Sequence, residues 1–483
     1  MKQMTSENTS WLPVLLVLSL LVPVFFFLGP VRLTPYRLIL VVMIIPLMLR
    51  LFSSGKPVFA FDFLFIFSFF WSAISLSVVH GFGQTIETSA IYIIEGLGAY
   101  LVTRILIDNK QSFYIFVKIF YFSVLFLLPF AVFEAATGQP IILDVLRKVL
   151  PVPGSVSMNK RFGLERAQVV FEHSILFGVY CSSVFGLVFY VLNKPGSSPV
   201  TGLMKLLLVT FTSFLSVSTG AVLAINFQLF LIAWDKITAM MKLPRRWLIL
   251  GGGFAVLYVL IDILSTRSPF HVFVNYLAFS SRSAYNRILI WQFGTETVWS
   301  APVFGIGFGS WLGPAWMGDS VDNFWLLLVM RYGLPGGIAF IVAIYLIMKR
   351  LGSCDFKDPD LDNYRKGYLV SLGGMLLAGA TVHYWNATYV LFMAMIGSGV
   401  WMLSAKDQDQ ATTDQEVVPK RIGFTRAARP AAAYREKVEP VLESSMEDIP
   451  KPDNRNAMPE LSTTPRDRSS ERQRPNLPYT RRG

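Results

Sequence analysis

Two segments of the sequence combine arginine with aromatic and polar side chains. The stretch SSRSAYNRILIWQF, residues 280–293, places Arg282 and Arg287 among serines and aromatics just after an apolar run. A guanidinium group is planar, permanently charged and able to bind phosphate oxygens in pairs. A second basic group lies upstream, and its members are Arg147, Lys148, Lys160, Arg161 and Arg166. Both segments favour an anionic partner.

Tryptophan is concentrated in the same region. Of eleven tryptophans, five lie between residues 291 and 325, namely Trp291, Trp299, Trp311, Trp316 and Trp325. An aromatic belt at the membrane interface explains any one of these rings. A dense cluster beside arginines also favours indole platforms for sugars, and the run GIGFGSWLG, residues 305–313, would let backbone amides approach an anion. Together these features favour a site for a carbohydrate that carries phosphate, with Trp291 and Trp311 in contact with it.

The chemistry of such a site sets further requirements. Breaking a sugar–diphosphate bond requires positive charge near the leaving group, from a divalent metal or from preorganised guanidinium groups. No D-x-D motif or tight carboxylate cluster accompanies the arginines, so we expect no metal and no cofactor. The attacking hydroxyl requires a general base, and Glu172, His173 and Asp322 are the candidates. A single displacement of this kind inverts the anomeric carbon.

The composition predicts that a membrane bundle positions these residues. Hydrophobic residues make up 53% of the chain and charged residues 15%. Apolar runs of roughly 16–25 residues recur, which is the length that crosses a hydrocarbon layer ~30 Å thick. We therefore predict an all-α polytopic membrane protein with about twelve transmembrane helices. The predicted spans are 11–29, 35–50, 60–79, 87–107, 113–135, 170–192, 202–217, 220–235, 246–264, 322–349, 367–384 and 387–404, with a tight turn over 216–220.

The chain divides into two regions by composition. Residues 1–404 are predicted to form the transmembrane domain. Residues 405–483 lack apolar runs, hold nine of the 27 prolines and mix charges of both signs. Such a segment cannot bury enough apolar area to offset its chain entropy, so we predict a disordered cytoplasmic tail.

Lysine and arginine in the short loops predict the orientation. With the N-terminus inside, the inner loops contain most of these residues and both termini are cytoplasmic. The residues are Arg50, Lys56, Arg104, Lys110, Lys118, Lys194, Lys205, Lys236, Lys242, Arg245, Arg246, Lys349, Arg350, Lys357, Arg365 and Lys366. Two long segments, about 136–169 and 265–321, then lie on the outer face. Because long loops escape the rule, their arginines need another explanation.

Each candidate also has a structural explanation. Arg287 could reach lipid phosphates from an interfacial helix, and Arg282 could occupy the first turn of a helix capped by serine. Arg161 and Arg166 could be solvated loop charges. Asp322 could be the N-terminal charge partner of the following helix. Glu95 lies in the middle of a predicted span, where an ionisable group usually marks function or an interior pair.

Several stretches resemble the O-antigen ligase and O-antigen polymerase superfamily. They are RILIWQFGTETVWSAPVFGIGFGSW (287–311), DNFWLLLVMRYGLPGG (322–337), SVSTGAVLA (216–224) and RFGLERAQVVFEHSILFG (161–178). The resemblance covers roughly residues 30–404. It implies a C-type glycosyltransferase-like fold and an enzyme that takes a glycan from an undecaprenyl-diphosphate carrier at the periplasmic face of the bacterial inner membrane.

The sequence departs from the family pattern at two places. Thr219 stands where the family turn usually has arginine, so a phosphate contact must come from elsewhere, with Arg161 and Arg166 as candidates. Asp322 and Asn323 stand where ligases typically have a histidine, which favours an exopolysaccharide polymerase and adds Asn323 to the substrate-binding candidates.

The resemblance therefore implies an inverting, metal-independent polysaccharide polymerase. One alternative is an O-antigen ligase that transfers glycan to the lipid A core or another acceptor. A second is a transporter of polysaccharide or lipid-linked sugar, in which Glu95 couples transport to ions. The expected partners are the lipid-linked glycan, the membrane, and polysaccharide export and chain-length proteins; nucleic acid is not expected.

Overall fold

The structure, a computed structural model of the 483-residue chain, describes residues 11–29, 31–156, 158–193, 196, 198–266, 268–269, 271–272, 281–318 and 320–405, without the side chains of residues 281–283. All of these residues belong to one compact unit. The predicted tail lies outside the described residues from residue 406 onward.

Helices account for nearly all regular structure in the described ranges. In chain order they are α1 (Leu12–Ser19), α2 (Pro35–Ser53), α3 (Ala60–His80), α4 (Phe82–Ile93), α5 (Ala99–Leu106), α6 (Lys110–Thr137), α7 (Ile141–Leu146), α8 (Ser174–Ser182), α9 (Phe185–Leu187), α10 (Pro199–Phe214), α11 (Thr219–Met240), α12 (Arg246–Leu264), α13 (Ser281–Ser300), α14 (Phe324–Gly352), α15 (Pro359–Gly379) and α16 (Asn386–Ser398). Short π-helical turns, Ile94–Gly98 and Val188–Leu192, follow α4 and α9, and a 3-10 turn covers Ala315–Met317. Strands β1 (Phe26–Leu28) and β2 (Val31–Leu33) form an antiparallel hairpin.

Nine helices within the described residues are long and apolar enough to cross a membrane. They are Pro35–Ser53, Ala60–His80, Phe82–Leu106, Lys110–Thr137, Ser174–Leu192, Thr219–Met240, Arg246–Leu264, Phe324–Gly352 and Asn386–Ala405. A shorter apolar helix, α10, lies between two of them. The protein is therefore an all-α polytopic membrane protein embedded in a lipid bilayer.

The first predicted span, residues 11–29, is wrong as a continuous helix. Helix α1 ends at Ser19, and the chain then turns into the β1–β2 hairpin. Pro23 lacks a backbone N–H and disfavours helical geometry in the residue before it, which explains the early end. The apolar run continues past this point, but hydropathy alone does not register the break.

The short loops that were predicted to be cytoplasmic meet at one end of the bundle. Lys56 pairs with Asp108 at 3.2 Å, and Lys110 pairs with Asp358 at 2.6 Å. The turns at the opposite end also contact one another: the amide of Ala167, in the first long segment, donates to the Leu215 carbonyl at 3.1 Å, and that of Phe324, just after the second, donates to the Val382 carbonyl at 3.2 Å. The basic short loops and the candidate site residues therefore lie at opposite ends of the helices.

Helix α14 contains a break that positions the turn at residues 305–309. Gly333 has φ 78° and ψ 168°, which is not helical. The carbonyls of Met330 and Arg331, just before the break, instead accept the amides of Ile306 at 2.8 Å and Gly307 at 3.1 Å. The break therefore holds the 305–309 turn against α14.

Candidate functional site

Two arginines of the first long segment reach the turn between α10 and α11. Arg161 Nη1 donates to the Val217 carbonyl at 3.1 Å, and Arg166 Nε donates to the Ser216 carbonyl at 3.4 Å. The turn covers residues 215–218, with Val217 in the left-handed region at φ 43°, and is shorter than predicted because Thr219 and Gly220 begin α11. Arg161 and Arg166 thus contact the turn just before Thr219, the position where the family that the sequence resembles usually has arginine.

A buried carboxylate holds this arginine-bearing loop in place. Glu134, near the end of α6 and 4% exposed, accepts the amide of Gln168 at 2.9 Å and that of Val169 at 2.8 Å through its two oxygens. Sequence reasoning missed Glu134, although a carboxylate inside a predicted span was an available signal. These two charge-assisted hydrogen bonds explain how the backbone of a long loop is held in place beside the 215–217 turn.

Helix α13 carries the second set of arginines. It covers most of the 280–293 stretch and extends beyond it through Ser300. Its Ile290 and Val298 pack with Leu326 and Met330 of α14 in a small core, which accounts for the longer helix. Arg287 is half-buried and Trp291, one turn later, is 42% exposed. The side chain of Arg282 lies outside the described part of the structure.

Arg161, Arg166, Arg287 and Asp322 lie close enough for their charges to act on one another, and we name these four the arginine cluster. Burial and then the charge of Arg161 lower the pKa of Arg166 to about 10, and Asp322 opposes the shift. Burial also lowers the pKa of Arg287, against the pull of Asp322. None of the three arginines forms an ion pair with a carboxylate among the described residues. The cluster is therefore suited to an anionic ligand.

Asp322 is the carboxylate of the cluster. Its side chain remains exposed, but partial desolvation by the surrounding protein raises its pKa. The Ser320 hydroxyl, which donates at 3.3 Å, and the charges of Arg287 and Arg166 limit that rise. A solvent-accessible carboxylate beside guanidinium groups has the position and charge needed to take a proton from a bound hydroxyl.

Asn323 has a structural role. Its Oδ1 accepts the Leu326 amide at 3.0 Å as the N-cap of α14, and the residue is 5% exposed. The cap uses one lone pair of Oδ1, and contact of Asn323 with a substrate stays a prediction.

His173 lies near Arg166 and Arg161 but is poorly suited to act as a base. Its Nδ1 accepts the Ile175 amide at 3.1 Å as the N-cap of α8. Burial, and then the charges of the two arginines, lower its pKa to about 4. The neutral ring then holds its proton on Nε2, so His173 can donate a hydrogen bond but has no free lone pair.

Glu172 turns to a different set of partners. Its Oε1 accepts Asn386 Nδ2 at 2.8 Å, and Asn386 Oδ1 accepts Arg37 Nη2 at 3.1 Å. Arg37 in turn pairs with Glu95 at 2.7 Å inside the bundle. Burial raises the pKa of Glu172, while Asn386, Arg32 and Arg37 oppose the rise. Glu95, noted in the sequence, is therefore one half of an interior ion pair.

Trp311 and the amides of the glycine run bind other groups of the protein. Trp311 is 8% exposed and donates from Nε1 to the Gly318 carbonyl at 3.3 Å, so its indole packs in a small core. The amides of Ile306 and Gly307 bind carbonyls of α14, and that of Phe308 binds His80 Nε2 at 2.8 Å. These three amides are not presented to an anion. The break in α14 exposes the carbonyls that bind the first two amides, and the His80 side chain binds the third.

Sequence reasoning missed four residues that line an open chamber beside the cluster: Arg37, Arg331, His383 and Asn386. Arg331 lies within the apolar run of α14, and an arginine at such a depth is itself a signal of function. Within the described residues, no group of three or more histidine, cysteine, aspartate or glutamate side chains is arranged to hold a metal ion.

No protein-family model matches the chain, and no curated protein matches it significantly. The resemblance to the O-antigen ligase and polymerase superfamily therefore rests on the four sequence stretches alone.

Proposed function

We propose that the protein is a glycan polymerase of bacterial exopolysaccharide or O-antigen biosynthesis, acting on undecaprenyl-diphosphate-linked repeats at the periplasmic face of the inner membrane. In this arrangement about twelve segments enter the membrane, the two long segments face the periplasm, and both termini are cytoplasmic. The observation that carries the proposal is the meeting of three arginines from two distant segments, without paired carboxylates, beside Asp322.

The reaction assigns a role to each member of the cluster. An acceptor hydroxyl attacks the anomeric carbon of the donor, a new glycosidic C–O bond forms, and the bond to the diphosphate oxygen breaks. Arg161, Arg166 and Arg287 stabilise the charge on the departing undecaprenyl diphosphate, and the Asp322 carboxylate takes the hydroxyl proton. His173 donates a hydrogen bond from Nε2 to the bound substrate. Attack opposite the leaving group inverts the anomeric configuration.

Two other functions remain as alternatives. A ligase would use the same donor and differ in its acceptor, and the Asp322–Asn323 pair in place of a histidine disfavours it. A transporter would use Glu95 to couple transport to ions. The 2.7 Å ion pair with Arg37 already neutralises Glu95 inside the bundle, which disfavours that role.

The glycans of a deletion strain separate the three functions. For a polymerase, lipid-linked single repeats accumulate and long chains disappear. Long chains that stay on the lipid carrier would instead indicate a ligase, and long chains that are retained inside the cell would indicate a transporter. Either of the last two results contradicts the proposal.

A further inference from the structure

An open chamber lies beside the arginine cluster, and nothing in the proposed reaction occupies it. Its volume is about 240 Å³, and its lining includes Arg331, His383, Trp385 and Tyr389. A cavity of this size has room for several water molecules. That space is on the scale of one monosaccharide.

One buried nitrogen in the chamber wall lacks a partner. Nδ1 of His383, a residue that lines the chamber, has no hydrogen bond among the described residues. The hydroxyls of Tyr92 and Tyr389, which also line the chamber, interact with each other. Leaving a buried polar group unsatisfied costs about 1–3 kcal/mol, so the His383 nitrogen favours a ligand with hydroxyl groups.

The charge in the chamber favours a single negative charge on that ligand. The ionisable lining includes Arg37, Arg331 and Glu95. Arg37 is neutralised by Glu95, whereas Arg331 forms no ion pair with a described carboxylate and instead lies over the Phe308 ring at 5.4 Å. Burial and the charge of Arg331 lower the pKa of His383 to about 3, so the imidazole stays neutral. One guanidinium group is therefore available for a ligand.

The chamber adjoins the transfer site. The His173 and Trp385 rings lie 6.4 Å apart, and Asn386 bonds to Glu172, the residue before His173. Asn386 holds this bridging position at φ 49°, in the left-handed region that asparagine adopts more readily than most residues other than glycine. A glycan bound in the chamber would thus lie next to the reacting groups.

We infer that this chamber binds a sugar residue that carries one carboxylate, such as a uronate, within the glycan that the protein extends. Arg331 pairs with the carboxylate, the aromatic walls pack against the ring, and His383 and Tyr389 bond to its hydroxyls. The inference rests on the proposed function for the identity of the glycan, whereas the binding itself does not require catalysis.

Binding of simple glycosides by the purified full-length protein in lipid nanodiscs tests the inference. The probes are methyl glucuronide, methyl glucoside and inorganic diphosphate, and the measurement is saturation-transfer NMR with competition. We expect the glucuronide to bind more tightly than the glucoside by about 10-fold or more, which corresponds to one charge-assisted hydrogen-bonded pair.

Variants assign the binding to the chamber. Arg331→Gln should remove the preference for the glucuronide, and Tyr389→Phe should weaken both glycosides. Arg147→Gln is the matched control, since Arg147 is an exposed loop arginine paired with Asp144 at 2.8 Å. Equal binding of the two glycosides, an unchanged preference in Arg331→Gln, or diphosphate displacing the glucuronide from folded protein would overturn the inference.

The two proposals fail separately. If neither glycoside binds but lipid-linked repeats accumulate in the deletion strain, the chamber inference fails and the polymerase stands. If the glucuronide binds in an Arg331-dependent manner but the deletion strain makes normal polymer, the chamber stands and the polymerase fails.

Discussion

At the scale of single residues, the geometry of each guanidinium group matters more than its charge. Arg287→Lys keeps the positive charge but loses the planar pair of donors that matches a diphosphate. We expect polymer formation to fall by about 10- to 1,000-fold, the effect of losing one donor to the transition state. The assay is polymer yield in a complemented deletion strain, with membrane abundance measured in parallel.

Arg147→Lys controls for the exchange itself, because Arg147 is exposed and already paired with Asp144. It should give wild-type polymer. Wild-type polymer from Arg287→Lys as well would remove Arg287 from the site and leave Arg161 and Arg166 as the arginines to test.

The pKa of Asp322 should determine how the rate of the reaction depends on pH. A base acts in its deprotonated form, so activity falls as the pH drops through the pKa of Asp322. Desolvation raises that pKa above its usual range, and the decline should therefore begin at a higher pH than for an ordinary aspartate. The pH–rate profile of purified protein should show this acidic limb. Asp322→Asn should lower activity at all pH values and abolish the limb; an unchanged limb in that variant would exclude Asp322 as the base.

At the scale of elements, His173 acts mainly as the cap of α8. His173→Ala removes the acceptor for the Ile175 amide and should destabilise the protein by about 0.5–2 kcal/mol, whereas His173→Asn restores a good cap. Thermal unfolding in detergent measures both. The Asn variant should also keep the acidic limb of the pH–rate profile, because the pKa of the imidazole is only about 4 and its Nδ1 is occupied. Loss of the limb in His173→Asn would show that the histidine is the base.

The break in α14 makes a second prediction for an element. A Cβ at Gly333 would overlap the Val303 carbonyl oxygen and stand 3.0 Å from the Phe304 amide nitrogen, at a positive φ that side chains disfavour. Gly333→Ala should therefore separate the 305–309 turn from α14 and lower the free energy of unfolding. Backbone strain alone should account for about 1–3 kcal/mol of this loss.

Gly352→Ala, at the end of the same helix, is the matched control, since a Cβ there meets nothing within 4 Å. Membrane abundance and thermal unfolding should be wild-type in Gly352→Ala and reduced in Gly333→Ala. Equal stability of the two variants would contradict the role given to the break.

At the scale of the whole molecule, the membrane bundle should be independent of the C-terminal region. Residues 410–483 contain no apolar run of spanning length, so no part of them is expected to be needed to complete the core. A chain ending at residue 409 should insert, unfold at the wild-type temperature and make polymer in vitro. Failure of the truncated chain to insert would contradict the predicted division at residue 404.

The sequence by itself determined the membrane bundle. Apolar runs report helices directly, because a backbone in hydrocarbon must satisfy its own hydrogen bonds. The helices α2, α3 and α6, for example, follow the predicted spans within a few residues. Hydropathy failed where an apolar run was interrupted by backbone chemistry, at Pro23 and at Gly333, since the scale measures side chains and ignores φ and missing amides.

The sequence and the tertiary structure each determined different properties of the candidate site. Residue type was enough to select Arg161, Arg166, Arg287 and Asp322 for an anion, because charge and shape belong to the side chain. Only the tertiary structure decided that these four residues lie close together. It also decided that the side chains of Asn323 and His173 accept hydrogen bonds as helix caps, and that Arg37 neutralises Glu95. The physical reason is that a side chain's role depends on which donors and acceptors remain free after folding, and those partners lie far away in sequence.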